Sequence, residues 1–298
     1  MRELTYIQDD DPMLKRWLIA AAEDLAGRKK YLPLYARWKE ICEQTPDVMM
    51  TRMLDLIDVT LEVNPRNSWP KNITPDEPLV LLANHPFGIA DGIISLVLAE
   101  QLKRPYRVLI NKDLLNVPEI KEKALPIDFA PTKQALENNL KSRAQARALL
   151  KEGVTIVVFP AGGVATAANP WGDAEELPWG TFPARLIQQA KASVLPVYFE
   201  GQPGPLFHLA SRVSQSLRMM LMVIEFRNFP DNVFKTHVGD VVKFEDLPTN
   251  GDRQVLTDEL YLMVQRLAPS AKGKSDDDLR PTPKDKRPNY PWDDEGVY

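Results

Sequence analysis

An apolar run of five residues, Leu79 to Ala83, stops abruptly at the segment Asn84-His85-Pro86. So short a run, bounded by a turn signal, predicts a buried strand, and α/β folds place their chemistry where such strands end. Asp91 follows a few residues later. An imidazole next to a carboxylate is suited to removing a proton from a hydroxyl near neutral pH. A purely structural, hydrogen-bonding role for the pair is also compatible with this spacing.

Two further apolar runs end in polar or glycine-rich turns. Val154 to Phe159 is rich in β-branched residues and is followed by Pro160-Ala161-Gly162-Gly163, where a ligand could approach the backbone closely. Val194 to Phe199 is followed by Glu200. We expect these three strand ends to share one edge of a sheet.

Strand and helix patterns alternate through the middle of the chain, which predicts an α/β fold with a mostly parallel central sheet flanked by helices. Three helical stripes in residues 1–58 predict a small N-terminal helical subdomain, followed by an α/β domain over residues 59–268. Residues 269–298 are rich in proline and charge, which predicts a disordered tail. The predicted central elements are helices at 93–102, 132–151, 181–191 and 206–217, and strands at 106–110 and 219–226.

The N-terminal stripes contain residues with two possible roles. Trp17 and Trp38 fit either helix packing or contact with a membrane surface. Cys42, the only cysteine, excludes an internal disulfide and fits a reducing compartment. Its place in an apolar stripe favours a small core residue over a nucleophile.

Charge and motif content exclude several classes of protein. A net charge of −4 argues against nucleic acid as the main partner. We find no metal-ligand spacing, no glycine-rich phosphate loop and no Gly-x-Ser-x-Gly nucleophile motif, and therefore predict no metal and no serine hydrolase. No signal peptide and no spanning apolar run is evident.

Two histidines and one long segment complete the candidate features. His208 lies in an apolar helical pattern and is predicted to be a hydrogen-bonded packing residue. His237 is predicted to lie in an exposed turn. The aperiodic segment 167–180 fits either a functional loop over the site or a plain surface excursion.

The order and spacing of these blocks resemble the lysophospholipid and 1-acylglycerol-3-phosphate acyltransferases, especially a bacterial branch often labelled hemolysin-like. The resemblance covers about residues 20–248. It rests on Asn84-His85-Pro86-Phe87-Gly88 with Asp91, on Phe159-Pro160-Ala161-Gly162, on Leu195-Pro196-Val197-Tyr198 with Glu200-Gly201, and on Leu206-Phe207-His208-Leu209-Ala210.

The resemblance implies transfer of an acyl group from acyl-CoA or an acyl carrier protein to a lipid hydroxyl. His85 would be the general base, and Asp91 would hold its ring in the productive tautomer. Backbone N–H groups near Gly88 or Gly162 would stabilise the oxyanion. Binding of substrate is expected at the turns themselves, through Asn84, Pro86, Phe87, Gly88, Phe159, Pro160, Ala161, Gly162 and Gly163. No cofactor beyond the acyl co-substrate is implied.

The chain departs from the family pattern at three points. His85 and Asp91 have five residues between them where the broad family has four, which fits the hemolysin-like branch. Gly163 stands where the family has a glutamate near the acceptor. The family's phosphate-binding arginine is missing after Ile127, and Lys112, Arg143 and Arg185 are candidate substitutes that are equally compatible with solvated surface charges.

Two hypotheses follow from these observations. The first is a cytoplasmic acyltransferase that associates peripherally with the inner face of the membrane, where it meets its lipid acceptor. The second is a non-catalytic or altered-specificity lipid-binding relative, which Gly163 and the missing arginine favour.

Overall fold

A computed structural model describes residues 12–13, 16–17, 20–21, 24, 28–213, 218, 221, 233–248 and 252–283. Within these residues a single sheet is formed by seven strands: β1 (Thr60–Asn64), β2 (Leu79–Ala83), β3 (Tyr106–Asn111), β4 (Ala124–Ile127), β5 (Thr155–Val158), β6 (Ser193–Phe199) and β7 (Val233–Val238).

The sheet has the strand order β1-β7-β6-β2-β5-β3-β4. The five strands from β6 to β4 are mutually parallel, while β7 pairs with β6 antiparallel and with β1 parallel. The expected mostly parallel α/β sheet is therefore confirmed. Strand β2 lies at its centre and is buried along its whole length, as the continuous apolar run predicts for a strand covered on both faces.

Helices cover both faces of the sheet. The described helices are α1 (Arg28–Gln44), α2 (Met49–Ile57), α3 (Ile89–Gln101), α4 (Lys133–Lys151), α5 (Phe182–Ala190), α6 (Pro205–Ser211), α7 (Arg253–Gln265) and α8 (Asp276–Leu279). One core lies between the sheet and α4, α5 and α7. The second core lies on the opposite face, beneath α1, α2 and α3.

The N-terminal helices share this second core with the sheet. Tyr35, Trp38 and Met50 pack in the same buried cluster as Leu81 of β2 and Ile94 of α3. The predicted boundary near residue 58 therefore does not separate two hydrophobic cores.

A buried carboxylate strengthens this connection. Glu100 of α3 accepts hydrogen bonds from the backbone N–H groups of Met50 and Thr51, each at 2.9 Å, and from the Tyr106 hydroxyl at 3.1 Å. Exposed N–H groups at a helix start need such acceptors, and a negative charge there is favoured by the helix dipole. Helix α2 is thus capped by a side chain from another helix.

The two tryptophans have different environments. Trp38 is 2% exposed, and its indole N–H donates to the carbonyl of Met49 at 2.7 Å, so a membrane-facing role for Trp38 is wrong. Trp17 is 65% exposed. Cys42 packs partly buried against the second core, where burial, followed by the charges of Glu119 and Glu100, raises the pKa of its thiol to about 11.

The C-terminal segment differs from the predicted tail. Residues 276–279 form α8, and Leu279 packs against the first core. Arg266 holds Asp276 through two hydrogen bonds, of 3.0 and 2.7 Å. The prediction of disorder is wrong for residues 269–283, while residues 284–298 lie outside the described part of the chain.

Most predicted elements of the centre are present with shifted ends. The first central helix begins at Ile89 rather than at residue 93, because Gly88 adopts a φ of +78° and turns the chain directly into the helix. Strands β1, β4 and β7 were not predicted from the sequence; they lie towards the two sides of the sheet, where apolar patterning is weaker.

The predicted strand at 219–226 falls outside the described residues except for Leu221, which is helical. The predicted helix at 206–217 is described only as far as Val213.

Candidate active site

The three predicted strand ends meet at one edge of the sheet. Strand β2 pairs with β5 on one side and with β6 on the other, with Leu82 opposite both Val158 and Pro196. The turns that follow these strands therefore lie side by side. Sites in α/β folds are found at this edge, beyond the carboxyl ends of the strands. We refer to this place as the carboxyl edge.

Asn84 joins the turn after β2 to strand β6 through two hydrogen bonds. Its side-chain N–H donates to the Phe199 carbonyl at 2.9 Å, and its carbonyl oxygen accepts from the Phe199 N–H at 2.6 Å. The side chain is 6% exposed. Both polar atoms are thus used within the protein, which makes Asn84 a positioning residue in this structure.

His85 and Asp91 lie next to each other at the carboxyl edge. His85 Nδ1 and Asp91 Oδ1 are 3.1 Å apart, with the histidine side chain 18% exposed and the aspartate fully buried. Asp91 lies in the first turn of α3, and its other oxygen accepts from the Phe87 N–H at 2.8 Å. The early start of α3 brings the carboxylate back to the imidazole. These two side chains are called the dyad below.

The dyad is close but incompletely aligned. His85 Nδ1 and Asp91 Oδ1 are both buried, and the ring N–H does not point directly enough at the carboxylate to form a well-directed hydrogen bond. Catalytic hydrogen bonds are often long or poorly aligned in the absence of substrate.

The backbone and ring of His85 are held from several sides. The ring packs on Phe159 with centroids 4.2 Å apart and planes inclined by 30°. The backbone carbonyl of His85 accepts a hydrogen bond from the Ala165 N–H at 2.9 Å. The backbone N–H of His85 donates to Glu176 Oε1 at 3.0 Å. The ring of His85 is thus packed on Phe159, while its backbone is held by Ala165 and Glu176.

Glu176 is a residue that the sequence pattern did not single out. It is 6% exposed, and its second oxygen accepts from Trp179 Nε1 at 3.3 Å and from Gln265 Nε2 at 3.1 Å. It belongs to the segment 167–180, whose lack of periodicity was the only sequence feature that pointed to this part of the site. That segment contributes buried residues beside the site, so part of it is structural rather than a surface excursion.

The glycine turn after β5 has little side-chain surface for a ligand. Pro160 and Ala161 are buried, and the Gly162 N–H donates to the Phe159 carbonyl at 3.0 Å. The Gly162 N–H is therefore engaged within the turn.

Gly163 leaves a narrow space at the turn. A Cβ at this position would lie 2.9 Å from Leu177 Cδ1 and 4.0 Å from Arg218 Nη2. Arg218 is 3% exposed and donates to Thr166 Oγ1 at 2.8 Å and to the Val164 carbonyl at 2.6 Å. A buried guanidinium thus stands behind the position where the resembling family has a glutamate.

The other two histidines, His208 and His237, have different environments. His208 is fully buried and its Nδ1 accepts from the Ala167 N–H at 3.2 Å, which confirms a packing role. Burial, with a smaller contribution from Arg218, lowers the pKa of His208. His237 lies in β7, not in a turn, and its Nε2 is 3.1 Å from Glu200 Oε2. The prediction of an exposed turn histidine is wrong.

The three candidate substitutes for the missing arginine lie in two separate places. Lys112 is paired with Asp128 at 2.9 Å, and this hydrogen bond lowers the pKa of Asp128. Arg143 and Arg185 lie together in a cleft between α4 and α5. None of the three contributes to the contacts that hold the dyad.

The described residues form neither a metal-binding cluster nor a helix that could span a membrane. Within these residues no group of histidine, cysteine and acidic side chains is arranged to hold a metal ion. No described helix combines the length and the apolar character that crossing a bilayer needs. The dyad itself consists of a partly exposed imidazole and a fully buried carboxylate.

Comparison with known proteins finds similarity to acyltransferases. The chain is 27% identical over 166 residues to a lyso-glycine lipid O-acyltransferase of Bacteroides thetaiotaomicron, an alignment that covers 55% of this chain and 57% of that protein. The chain is also similar to the crystal structure of the 1-acyl-sn-glycerophosphate (LPA) acyltransferase PlsC from Thermotoga maritima, with a TM-score of 0.48 and 14% identity over 88% of this chain and 95% of that one. The family model Acyltransferase matches residues 64–200, which contain the dyad and all three strand ends of the carboxyl edge. Residues 64–200 are thus similar to the acyltransferase family.

Proposed function

We propose that this chain transfers a fatty acyl group from an acyl thioester to a hydroxyl of a lysolipid acceptor, with His85 as the general base. The observation that carries the proposal is the dyad, in which a partly exposed imidazole lies 3.1 Å from a fully buried carboxylate. Its place at the carboxyl edge within the acyltransferase domain supports the same assignment.

Each member of the dyad has a defined task in this reaction. When Asp91 accepts the Nδ1 proton of His85, the lone pair of Nε2 is left to remove the proton of the acceptor hydroxyl. The hydroxyl oxygen then attacks the thioester carbonyl carbon and forms a tetrahedral oxyanion. Collapse of this intermediate breaks the carbon–sulfur bond, and the imidazolium returns its proton to the leaving thiolate. No covalent acyl-enzyme is needed.

The oxyanion requires N–H donors close to the dyad. The backbone at Gly88 and the first turn of α3 fit this task, since N–H groups at a helix start have no partner within the helix and favour negative charge. The first described bond of this turn runs from the Gly92 N–H to the Gly88 carbonyl. The earlier N–H groups of the turn are therefore the proposed donors.

The acceptor is proposed to be a lysolipid rather than glycerol 3-phosphate. The similar protein of Bacteroides thetaiotaomicron is named for acylation of a lyso-glycine lipid. Gly163 presents no carboxylate to a small polar acceptor, which reduces discrimination by hydrogen bonding. The donor is proposed to be acyl-CoA or an acyl carrier protein, and no further cofactor is invoked.

The central test compares three variants in an assay of thiol release from an acyl thioester with lysolipid acceptors. We expect His85→Ala to lower kcat by about 10²- to 10⁴-fold, because the general base is lost. Asp91→Asn should be nearly as damaging, because the amide no longer favours the productive ring tautomer. His237→Ala is the matched control, since His237 forms the other histidine–carboxylate pair near this edge of the sheet.

The outcomes separate the two functional hypotheses. Activity that depends on His85 and survives His237→Ala supports the proposed mechanism. Near-normal transfer by folded His85→Ala protein would rule out the assigned base. Lysolipid binding by the wild type without thiol release for any donor would favour the non-catalytic relative.

We further propose that the protein works at the inner face of the cytoplasmic membrane as a peripheral protein. Met13 and Trp17 are 87% and 65% exposed, which makes the N-terminal region the proposed contact. Flotation with anionic vesicles should carry the wild type upward and leave more of Met13→Ser/Trp17→Ser protein at the bottom of the gradient. Equal distributions for the two proteins, or no flotation at all, would contradict this contact.

A further inference from the structure

Four arginines line one cleft on the helical face of the first core. The cleft has a volume of about 290 Å³ and lies between α4, α5 and the start of α7. Arg143 and Arg147 come from α4, Arg185 from α5 and Arg253 from the first position of α7. We call it the arginine cleft; it contains no residue of the dyad.

The positive charge of the arginine cleft is not compensated. None of its lining residues is acidic, and none of the four guanidinium groups forms an ion pair within the part of the chain that the structure describes. Arg147 donates to the neutral Gln189 at 3.3 Å. The chain has 41 acidic residues against 37 basic ones, so this local excess of positive charge is opposite to the overall balance.

Arg143 is the best-defined member of the group. Its guanidinium lies 4.6 Å from the centroid of the Phe182 ring, a cation–π geometry that fixes its orientation. Its Nε is buried and has no hydrogen-bond partner. Burial, followed by the charge of Arg185, lowers the pKa of Arg143. A half-buried guanidinium next to a like charge is costly unless an anion binds close to both.

The chemistry of the cleft favours a phosphate group. A guanidinium donates through a planar fork that matches phosphate oxygens, and a phosphate has enough oxygens to accept from several arginines at once. A carboxylate has only two oxygens and one charge. Phe182 and Leu186 add an apolar wall that suits the carbon skeleton carrying the phosphate.

We propose that the arginine cleft is a binding site for a phosphate-bearing ligand, separate from the dyad. The phosphate belongs either to a soluble phosphorylated compound or to the headgroup of an anionic lipid. The proposal does not depend on catalysis by His85, because it rests on the charge and geometry of the cleft alone.

Binding is tested on the full chain with two probes. Calorimetry with inorganic pyrophosphate tests the soluble source, and flotation with phosphatidylcholine vesicles containing phosphatidic acid tests the lipid source. For whichever probe binds, we expect Arg143→Gln/Arg185→Gln to weaken the affinity roughly tenfold or more, since each charge-assisted hydrogen bond contributes that order of magnitude. Arg143→Lys keeps the charge but loses the fork and should cause a smaller loss.

A matched control removes the same charge elsewhere. Arg37→Gln/Arg66→Gln changes two exposed arginines outside the cleft and should bind the probe like the wild type. If Arg143→Gln/Arg185→Gln fails to fold, the double variant Arg147→Gln/Arg253→Gln takes its place, since both of these cleft arginines are exposed. Binding that is the same in cleft and control variants, or no binding of either probe to the wild type, would overturn the proposal.

Discussion

Gly201 shows how closely the turn that carries His85 is packed against the neighbouring strand. Its φ is +120°, a conformation that side chains other than glycine rarely adopt, and an added Cβ would lie 2.6 Å from Phe87 Cζ. Phe87 in turn donates its N–H to Asp91. The absence of a side chain at Gly201, just after β6, therefore leaves room for Phe87, whose N–H holds the buried carboxylate of Asp91.

This contact gives a prediction at the scale of one residue. Gly201→Ala should lower kcat and destabilise the fold by about 1–3 kcal/mol, because it strains the backbone and displaces Phe87. Thiol-release kinetics and urea denaturation measure the two effects. Gly180→Ala is the matched control, since a Cβ at Gly180 meets nothing within 4 Å. Equal kcat values for the two variants would show that the position of Phe87 does not matter for the dyad.

Residue identities near the dyad were predictable, but several of their roles were not. His85 and Asp91 are six positions apart, and the helix that begins at Ile89 brings them together within one short segment. Asn84 looked equally suited to binding a substrate. Only the neighbouring strand shows that its amide is used by Phe199.

Helix α2 is stabilised by an interaction between elements rather than by its own sequence. No side chain at its start forms a capping hydrogen bond, and Glu100 of α3 accepts from the N–H groups of Met50 and Thr51 instead. The position of α2 on the sheet is therefore coupled to that of α3, which also carries Asp91.

Removal of this cap should have a large effect. We expect Glu100→Ala to lower the free energy of unfolding by about 2–4 kcal/mol, because buried N–H groups and the Tyr106 hydroxyl lose their acceptor. Glu100→Gln keeps one acceptor oxygen and should cost less. Urea denaturation measures both, with the exposed Glu40→Ala as control. A loss for Glu100→Ala no larger than for Glu40→Ala would argue against the capping role.

At the scale of the whole molecule, the segment 269–283 is part of the folded body. Arg266 pairs with Asp276, Arg280 lies 3.6 Å from Asp258, and Thr282 donates to Glu175 at 2.9 Å. Leu279 adds apolar contact with the first core. These contacts join the C-terminal segment to α7 and to the loop that contains Glu176.

A truncation after Ser270 tests this connection. We expect its melting temperature to be lower by several degrees, because it loses the Leu279 contact and the hydrogen bonds to Arg266 together. A chain that ends at residue 283 keeps these contacts and is the matched control. Calorimetric melting curves that coincide for the two truncations would mean that the segment adds nothing to stability.

The sequence by itself determined the central strands, the helices between them and the pairing of His85 with Asp91. These features depend on short-range information: an apolar run that ends at a turn, a helical period, and two functional residues in one segment of the chain. The resemblance to acyltransferases was available for the same reason, since its motifs are short and local.

The tertiary structure decided which distant residues meet. The His85 N–H and Glu176 are 91 positions apart, and Asn84 and Phe199 are 115 apart. The four arginines of the cleft come from three helices, and Trp38 is buried by a core that the N-terminal helices share with the sheet. Patterns within one segment do not predict such contacts, because these contacts form only when separate helices and strands pack together.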